Sequence, residues 1–202
     1  MNRYVVTGGA GFIGSAIVRA LLRSGASRVT VIDNLSSGKE ENLDEVRSAV
    51  DLHRVDIRDA AALAGLMDGA EFVFHEAAIP SVPLSIDDPV LSHEVNINGT
   101  FEVMRAAAAA KVGRLIYAAS SSAYGETEIQ PKVEAMCPSP QSPYALQKLT
   151  GEYYASVFAS CFGRETVSLR YFNVYGPRRI PAARIRECFL CLSSAFWRAR
   201  PP

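Results

Sequence analysis

Net charge and long apolar runs are both scarce in this chain of 202 residues, and each scarcity excludes a class of protein. Lys and Arg together number 21 and Asp and Glu also number 21, so no net field draws the chain to nucleic acid or to an anionic membrane. No apolar stretch reaches the roughly 18 residues that a membrane span needs. An apolar strand begins almost at the N-terminus, which leaves no room for a signal peptide. The sequence therefore predicts a soluble, cytoplasmic protein with neither a nucleic-acid nor a membrane partner.

Cysteine and histidine are also few, and their positions indicate neither a disulfide framework nor a metal site. The histidines, which lack the spacing of metal ligands, are His53, His75 and His93. The cysteines are scattered through the second half of the chain, at Cys137, Cys161, Cys188 and Cys191. The last two form a single Cys-x-x-Cys pair with no second pair to complete a zinc site. We expect reduced thiols and no bound metal.

The strongest functional signal lies at the beginning of the chain. An apolar run from Tyr4 to Thr7 meets glycines at positions 8, 11 and 14, and an amphipathic helical pattern follows. A strand, a glycine turn and a helix offer free N–H groups and the positive end of a helix dipole to a pyrophosphate. Glycines alone are also typical of a plain structural turn. The next strand decides between the two, because Arg28 to Ile32 ends at Asp33, where a carboxylate can accept hydrogen bonds from an adenosine ribose.

Short apolar runs alternate with helical patterns along the rest of the chain. Strands are predicted at Leu52–Val55, Phe72–His75, Leu115–Ala118 and Val167–Arg170. Helices are predicted at Glu40–Ala49, Ala60–Met67, His93–Lys111 and Tyr144–Phe162, and the proline-rich stretch Ile79–Pro89 is predicted to be an irregular loop. The alternation predicts an α/β fold with a doubly wound parallel sheet, whose ligands bind at the carboxyl ends of the strands.

A candidate for catalysis lies on the last predicted helix. Tyr144 is the one tyrosine of eight with a lysine four residues further on, at Lys148, and that spacing places both side chains on one face. A nearby ammonium, together with a cationic nicotinamide, favours the phenolate and lowers the pKa of a phenol, which makes it a usable base at neutral pH. Such pairs also arise as surface neighbours. Because this pair follows a dinucleotide fold and a serine-rich strand end, we favour a catalytic role.

These motifs together resemble the NAD-dependent epimerase/dehydratase family of extended short-chain dehydrogenases/reductases, and most of all its UDP-sugar 4-epimerases. The motifs that carry the resemblance are Thr7-Gly8-Gly9-Ala10-Gly11-Phe12-Ile13-Gly14, Asp33-Asn34-Leu35, His75-Glu76-Ala77-Ala78, Asn96-Ile97-Asn98-Gly99-Thr100, Ser120-Ser121-Ser122, Tyr144-Ala145-Leu146-Gln147-Lys148 and Arg170-Tyr171-Phe172-Asn173. The resemblance implies a Rossmann fold, NAD as cofactor, a nucleotide-sugar substrate and, for the intact family, a homodimer.

The resemblance also implies roles for individual residues. Tyr144 would be the base, Lys148 would bind the nicotinamide ribose, and Ser120 would bind the substrate O4, with Ser121 and Ser122 as close rivals. Asn173 would face the nucleotide sugar. The implied cofactor contacts are Gly8, Gly11, Phe12, Ile13, Gly14, Asp33, Asn34, Asp56, Ile57, Ala77, Ala78, Asn98, Tyr144, Lys148 and Phe172.

The reaction so implied removes the C4 hydrogen of a UDP-sugar as a hydride to NAD and returns it to the opposite face of a 4-keto intermediate. A 4,6-dehydratase usually has an Asp-Glu pair where this chain has Ser121-Ser122, and the decarboxylase branch has a glutamate in place of Ser122. Both branches are therefore disfavoured. The loop Ala77–Pro83 resembles the branch that accepts N-acetylated UDP-hexoses.

The resemblance breaks after Arg179. Family members are longer and have a C-terminal substrate domain, and a single-base deletion in one choice of codons converts a family-like peptide into Ile180–Glu187. We expect residues 1–179 to form the NAD-binding Rossmann domain and residues 180–202 to be an aberrant, out-of-frame and poorly ordered tail, with the substrate domain missing. Two interpretations stay open: a nucleotide-sugar 4-epimerase, or a non-catalytic NAD-binding remnant of one.

Overall fold

Six short runs rich in β-branched and aromatic residues form one parallel sheet in the computed structural model, which describes residues 3–176. The strands are β1 (Tyr4–Thr7), β2 (Val29–Ile32), β3 (Val50–His53), β4 (Phe72–His75), β5 (Arg114–Ser120) and β6 (Glu165–Tyr171). Their order across the sheet is β3-β2-β1-β4-β5-β6. All neighbouring pairs are parallel, so this is the doubly wound Rossmann arrangement that the alternating pattern predicts.

Helical segments connect the strands. The α-helices are α1 (Phe12–Arg23), α2 (Ala60–Leu63), α3 (Val82–Asp87), α4 (Pro89–His93), α5 (Thr100–Ala109) and α6 (Pro143–Phe162). Two 3₁₀-helices cover Glu40–Ala49 and Ser121–Tyr124, and a π-helical segment, Glu94–Gly99, joins α4 to α5. The helical stretch from α4 to α5 is continuous in sequence.

The core lies on both faces of the sheet, because successive residues of a strand point to opposite sides. Val5 of β1 belongs to a cluster that includes Met104 of α5 and Phe158 of α6. Its neighbour Val6 belongs to a second cluster, with Val18 of α1 and Leu43 of the first 3₁₀-helix. Both valines are fully buried, which explains why β1 shows no alternation of apolar and polar residues.

The register brings the functional ends of the strands together at one edge. Thr7, the last residue of β1, pairs with Ile32 of β2 on one side and with His75 of β4 on the other. Ser120, the last residue of β5, pairs with Tyr171 of β6. The chain winds outward in opposite directions from β1 and β4, so the crevice between their carboxyl ends is the place where an open α/β sheet binds its ligands.

Several predicted boundaries are wrong, and local chemistry explains the main one. The stretch Ile79–Pro89 is not an irregular loop, because it contains α3 and the start of α4. Ser81 caps α3 by accepting from the N–H of Leu84, and Pro83 lies in the first turn, where a proline loses no helical hydrogen bond. The long helix expected at His93–Lys111 begins earlier, at Pro89, and has the π-helical segment inside it.

The other differences are smaller. The helix expected at Ala60–Met67 ends at Leu63, although Asp59 caps it as predicted, and Gly65 then adopts φ +77°. Strand β3 lies two residues earlier than predicted. No helix among residues 3–176 is long and apolar enough to cross a membrane. The predictions for the Cys188–Cys191 pair and for the tail at 180–202 fall outside the described residues.

Candidate active site

The glycine turn between β1 and α1 is built so closely that two of its glycines have no room for a side chain. Gly8 has φ +68°, and a Cβ there would lie 2.7 Å from the backbone nitrogen of Ala77. A Cβ on Gly14 would lie 2.2 Å from the carbonyl oxygen of Gly8, so the start of α1 packs directly onto the turn. Gly11 is the N-cap of α1 and supplies no side-chain cap, which leaves the first N–H groups of the helix, those of Phe12 and Ile13 included, available to an anion.

Asp33 fixes this turn from the end of β2. Its Oδ2 accepts from the N–H of Ala10 at 2.9 Å, and its Oδ1 accepts from the N–H of Leu35 at 2.8 Å. The carboxylate is 7% exposed and has further lone pairs for a ribose hydroxyl. The loop after β2 returns to the same place, since the N–H of Lys39 and the Asn42 side chain both donate to the Ala10 carbonyl. The sequence motif indicated a ribose ligand but not this structural duty of Asp33.

Asn34 and Asp56 meet at the next strand end. Asn34 Nδ2 donates to Asp56 Oδ2 at 3.0 Å, and the Arg58 guanidinium forms an ion pair with the same carboxylate at 2.8 Å. Hydrogen bonds from Arg58 hold the pKa of Asp56 well below its usual range. The side chain of Ile57 is buried in the core against Gly99, so only its backbone is placed to meet a ligand.

The cofactor contacts predicted after β4, which are Ala77, Ala78 and Asn98, lie in two different surroundings. Ala77 and Ala78 come shortly after β4, and the Ala77 backbone lies against Gly8. Asn98 is exposed on the π-helical segment, where its Nδ2 donates to Glu94 Oε2 at 2.9 Å. The two alanines therefore adjoin the glycine turn, and Asn98 is held by its own segment.

The serine and the tyrosine predicted to share a substrate oxygen are brought together. Ser120 ends β5, and its hydroxyl is close enough to the Tyr144 phenol to oppose the rise in the pKa of that phenol. Ser122 instead donates to Ser120, through both its N–H at 3.2 Å and its Oγ at 2.8 Å. Of the three serines that the sequence left as rivals, Ser120 is the one beside Tyr144.

Tyr144 and Lys148 lie one turn apart on α6, as the spacing predicts, but they do not interact as expected. The Lys148 side chain is buried, and its Nζ lies over the Tyr117 ring, 4.9 Å from the centroid. Burial lowers the pKa of Lys148 to about 8, with the charge of Glu76 opposing the shift. Burial also raises the pKa of Tyr144, and the Ser120 hydroxyl opposes that shift. Desolvation therefore dominates in the protein without its cofactor, and the lowering expected beside a cationic nicotinamide stays a prediction.

A buried polar group under the site was not foreseen. His75 ends β4, and its Nδ1 lies 2.7 Å from Thr7 Oγ1 while its Nε2 lies 3.0 Å from Thr100 Oγ1. Burial lowers the pKa of His75 to about 3, with a contribution from the Lys148 charge, so the imidazole is neutral at pH 7. A histidine ending an otherwise apolar strand was the only sequence signal.

Glu76, the next residue, also escaped prediction. Tyr171 on β6 donates to its Oε1 at 3.2 Å, and burial raises its pKa while Tyr171 and Lys148 oppose the shift. Glu76 is thus a shielded carboxylate at the same strand edge as Lys148. Nothing in the local spacing indicated that β6 would supply its partner.

The last predicted contacts lie beyond β6. Phe172 is 59% exposed, and its ring stacks on that of Tyr124 with centroids 6.3 Å apart. The Tyr124 ring also lies 4.6 Å from the guanidinium carbon of Arg170, which forms an ion pair with Glu152 of α6 at 2.8 Å. Asn173 is exposed. An aromatic ring is therefore presented at the edge where β5 and β6 end.

The residues of this edge fit a dinucleotide. The turn has no space for a Cβ at Gly8 or Gly14, the first turn of α1 offers N–H groups, and Asp33 retains lone pairs toward the adenosine side. Tyr144 and Lys148 occupy the other side of the crevice. Within residues 3–176 no group of three His, Cys, Asp or Glu side chains is arranged to hold a metal ion.

The sequence profile of the NAD dependent epimerase/dehydratase family matches residues 4–191, well over half of the chain. The chain belongs to this family. NAD is accordingly its cofactor, and several solved relatives contain it.

Relatives within the family are named as UDP-sugar 4-epimerases. The UDP-glucose 4-epimerase of Mycolicibacterium smegmatis is 40% identical over 186 residues, which cover 89% of this chain and 58% of that protein. The structure of the Thermus thermophilus UDP-glucose 4-epimerase in complex with NAD is 43% identical with a TM-score of 0.83, over 89% of this chain and 58% of that one. The UDP-N-acetylglucosamine 4-epimerase of Methanobrevibacter ruminantium is 40% identical with a TM-score of 0.83, over 89% and 57%. The chain thus spans somewhat more than half the length of these epimerase/dehydratase-family relatives.

Proposed function

We propose that this chain carries the NAD-binding and catalytic part of a nucleotide-sugar 4-epimerase acting on UDP-glucose and UDP-galactose or their N-acetyl forms. The observation that carries the proposal is the meeting of Ser120 with Tyr144, one turn before a buried Lys148, at the strand edge that also holds the glycine turn. A phenol, a hydroxyl and an ammonium at one edge of a dinucleotide fold suit the oxidation and reduction of a secondary alcohol.

The roles follow from the surroundings of each group. Tyr144 accepts the proton of the sugar 4-hydroxyl, and Ser120 hydrogen-bonds to the same oxygen. Bound NAD supplies the acceptor and later the donor of the C4 hydrogen. The Lys148 ammonium lies over the Tyr117 ring, and the charge of Glu76 favours its protonated form. These protein groups therefore hold a cationic ammonium at the site. The 4-keto sugar turns over and is reduced on its other face.

The chemistry of the strand end separates this proposal from its alternatives within the family. Elimination of water in a 4,6-dehydratase needs an acid and a base near Tyr144, and Ser121 and Ser122 are neither. The Ser122 hydroxyl is already engaged as a donor to Ser120. Epimerisation needs only the groups that the edge supplies.

The test is to incubate the full 202-residue chain with UDP-galactose or UDP-N-acetylgalactosamine, in the presence of NAD, of NADP or of neither. We expect conversion to the C4 epimer with NAD and at least a roughly tenfold preference over NADP, because a 2′-phosphate would meet the Asp33 carboxylate. Binding of NAD without conversion of either sugar would refute the epimerase proposal and favour a non-catalytic NAD-binding protein of the family.

A matched pair of variants tests the assignment of the serine. Ser120→Ala removes the hydroxyl beside Tyr144 and is expected to lower turnover at least tenfold, about 1.4 kcal/mol of transition-state stabilisation. Ser122→Ala removes only a donor to Ser120 and is expected to keep turnover within about threefold. A larger loss for Ser122→Ala than for Ser120→Ala would transfer the role to Ser122.

The same proposal extends to a homodimer. Apolar side chains lie exposed in a stripe on α6, at Leu146 (54%), Tyr153 (60%) and Val157 (50%). Two more, Ile86 and Val90, are exposed on α3 and α4, which pack beside α6. A patch of this kind marks an interaction surface. Sedimentation of the chain is expected to show a dimer, and Tyr153→Glu is expected to give a monomer; a wild-type monomer at micromolar concentration would contradict this part.

A further inference from the structure

Between Tyr144 and Lys148, α6 carries a polar side chain that points into the protein. Gln147 is 4% exposed, and its Oε1 accepts two hydrogen bonds, from Ser92 Oγ at 2.7 Å and from Asn96 Nδ2 at 2.9 Å. Ser92 is fully buried and Asn96 is 1% exposed, so both donors depend on this one oxygen for that contact. The two donors come from α4 and from the π-helical segment, more than fifty residues earlier in the chain.

Asn96 also forms hydrogen bonds with the loop after β4. Its Oδ1 accepts from the N–H of Ile79 at 2.8 Å, and its Nδ2 donates to the carbonyl of Ile79 at 3.2 Å. Both backbone groups of Ile79 are therefore held by one amide, in the manner of a strand partner. The orientation of that amide matters, because its oxygen and nitrogen must each face the correct backbone group.

The loop that Asn96 holds is the one that touches the glycine turn. Ile79 follows Ala77 and Ala78, and the backbone of Ala77 lies where a Cβ on Gly8 would intrude. A continuous path of buried contacts thus runs from the segment between Tyr144 and Lys148, through Gln147 and Asn96, to the loop beside the pyrophosphate turn. The N–H of Tyr144 is fixed separately, by donating to Ser85 Oγ of α3 at 3.1 Å.

We propose that Gln147 is a positioning residue whose amide oxygen sets the orientation of Asn96, and thereby fixes the loop at Ala77–Ile79 relative to Tyr144 and Lys148. Without this oxygen, Ser92 loses the acceptor of its hydroxyl and Asn96 loses one of the two acceptors of its Nδ2, so the Asn96 amide is held in its orientation by Ile79 alone. The consequence for turnover rests on the proposed epimerase function. The consequence for NAD binding rests only on the described geometry and on membership of the family.

The test compares NAD affinity, by calorimetry on the full chain, in three variants at a temperature well below every thermal midpoint. Gln147→Met keeps the length and loses the strong acceptor, and it is expected to weaken NAD binding roughly fivefold or more. Gln147→Glu keeps an acceptor oxygen in either protonation state and is expected to stay within about twofold of the wild type. Gln141→Met, the same replacement at an exposed glutamine just before α6, is the control and is expected to change nothing.

A comparison of double and single variants tests whether Gln147 acts on NAD binding through Asn96. If Gln147 acts through Asn96, Gln147→Met combined with Asn96→Ala weakens NAD binding no more than Asn96→Ala alone, whereas Ser92→Ala by itself leaves the affinity within about twofold. The comparison of Ser92→Ala with Asn96→Ala decides the matter even where Gln147→Met does not fold, since a Ser92→Ala loss equal to that of Asn96→Ala would overturn the proposed route.

Three results would overturn the proposal: unchanged NAD affinity in Gln147→Met, an equal loss in Gln147→Glu, or a wild-type chain that does not bind NAD at all. A wild-type chain that binds NAD but converts no sugar would count against the proposed function only. The affinity comparison among the variants would stand.

Discussion

The two halves of the sheet contribute different kinds of chemical group to the site. The cofactor half, which we define as β1–β3 with α1 and the following loops, offers backbone N–H groups and carboxylates, and its glycine turn is held by backbone contacts and Asp33. The catalytic half, β4–β6 with α3–α6, uses shielded polar side chains that other side chains hold: His75 bonds to Thr7 and Thr100, Glu76 to Tyr171, and Asn96 to Gln147. A backbone site tolerates most side-chain changes unless a Cβ intrudes, whereas a side-chain network fails when one member is lost.

The largest expected effect lies in the catalytic half. Tyr144→Phe keeps the ring and removes only the oxygen, so we expect turnover to fall at least a hundredfold, or about 2.7 kcal/mol, with NAD affinity within about twofold. Tyr153→Phe makes the same replacement on the exposed face of α6 and serves as the control. Steady-state kinetics and calorimetry on both variants provide the measurement, and normal turnover in Tyr144→Phe would refute its role.

An ion pair in the catalytic half should contribute more to the free energy of unfolding than an ion pair in the cofactor half. Arg170 and Glu152 pair in the catalytic half with only 17% and 12% of their side chains exposed, so Arg170→Met leaves a shielded carboxylate and is expected to cost about 2–3 kcal/mol of unfolding free energy. Arg28 and Asp51 pair on the surface of the cofactor half with 59% and 40% exposed, and Arg28→Met should leave the urea midpoint unchanged. Equal shifts of the urea midpoint in the two variants would contradict the expected difference between the two halves.

The cofactor half should instead be sensitive at Gly8. Gly8→Ala combines a positive φ with a Cβ only 2.7 Å from the Ala77 nitrogen, and we expect NAD affinity to fall at least tenfold, or about 1.4 kcal/mol. Gly25→Ala has φ +98° with open space around the Cβ, so it introduces backbone strain alone and should leave NAD affinity intact. Matching losses of NAD affinity would mean that strain, not contact, explains the result.

The last effect, which is absent at neutral pH, is a pH dependence in the catalytic half. His75 has a pKa of about 3 in the folded protein and 6.5 as a free side chain, so the unfolded chain binds one more proton between those values. Stability is therefore lost as the pH falls from about 6.5 toward 3, by about 1.4 kcal/mol per pH unit from this group. Urea titrations should show that His75→Gln lowers the slope of unfolding free energy against pH by one proton in that window. An unchanged slope would mean that His75 titrates normally when folded.

The sequence was sufficient where the signal is local. Glycine spacing, the acidic residue at the end of β2 and the four-residue interval from Tyr144 to Lys148 each need only neighbouring residues, and the fold confirms their placement. The doubly wound parallel sheet followed from the alternation of elements. Helix α3 was not predicted, because prolines usually end helices. In this helix Pro83 lies in the first turn and Ser81 caps the N-terminus, so the proline is compatible with it.

What the sequence did not indicate depends on distant partners or on burial. Gln147 meets Asn96 across 51 residues and His75 meets Thr7 across 68, so no window along the chain contains either pair. The rise in the Tyr144 pKa in the protein without its cofactor has a related cause, because spacing along the chain does not indicate the desolvation that produces it. Ser120 was separated from Ser121 and Ser122 only when α6 was placed against β5.

The central claim is that an NAD-dependent site inverts C4 of a UDP-sugar by removing and returning the same hydrogen. The most direct measurement is to incubate the full chain with NAD and UDP-galactose in D₂O and to examine the recovered sugars by mass spectrometry and NMR. The account predicts UDP-glucose with no deuterium at C4, because the carbon-bound hydrogen never exchanges with solvent. Deuterium at C4, or an absence of conversion while NAD is bound, would contradict it.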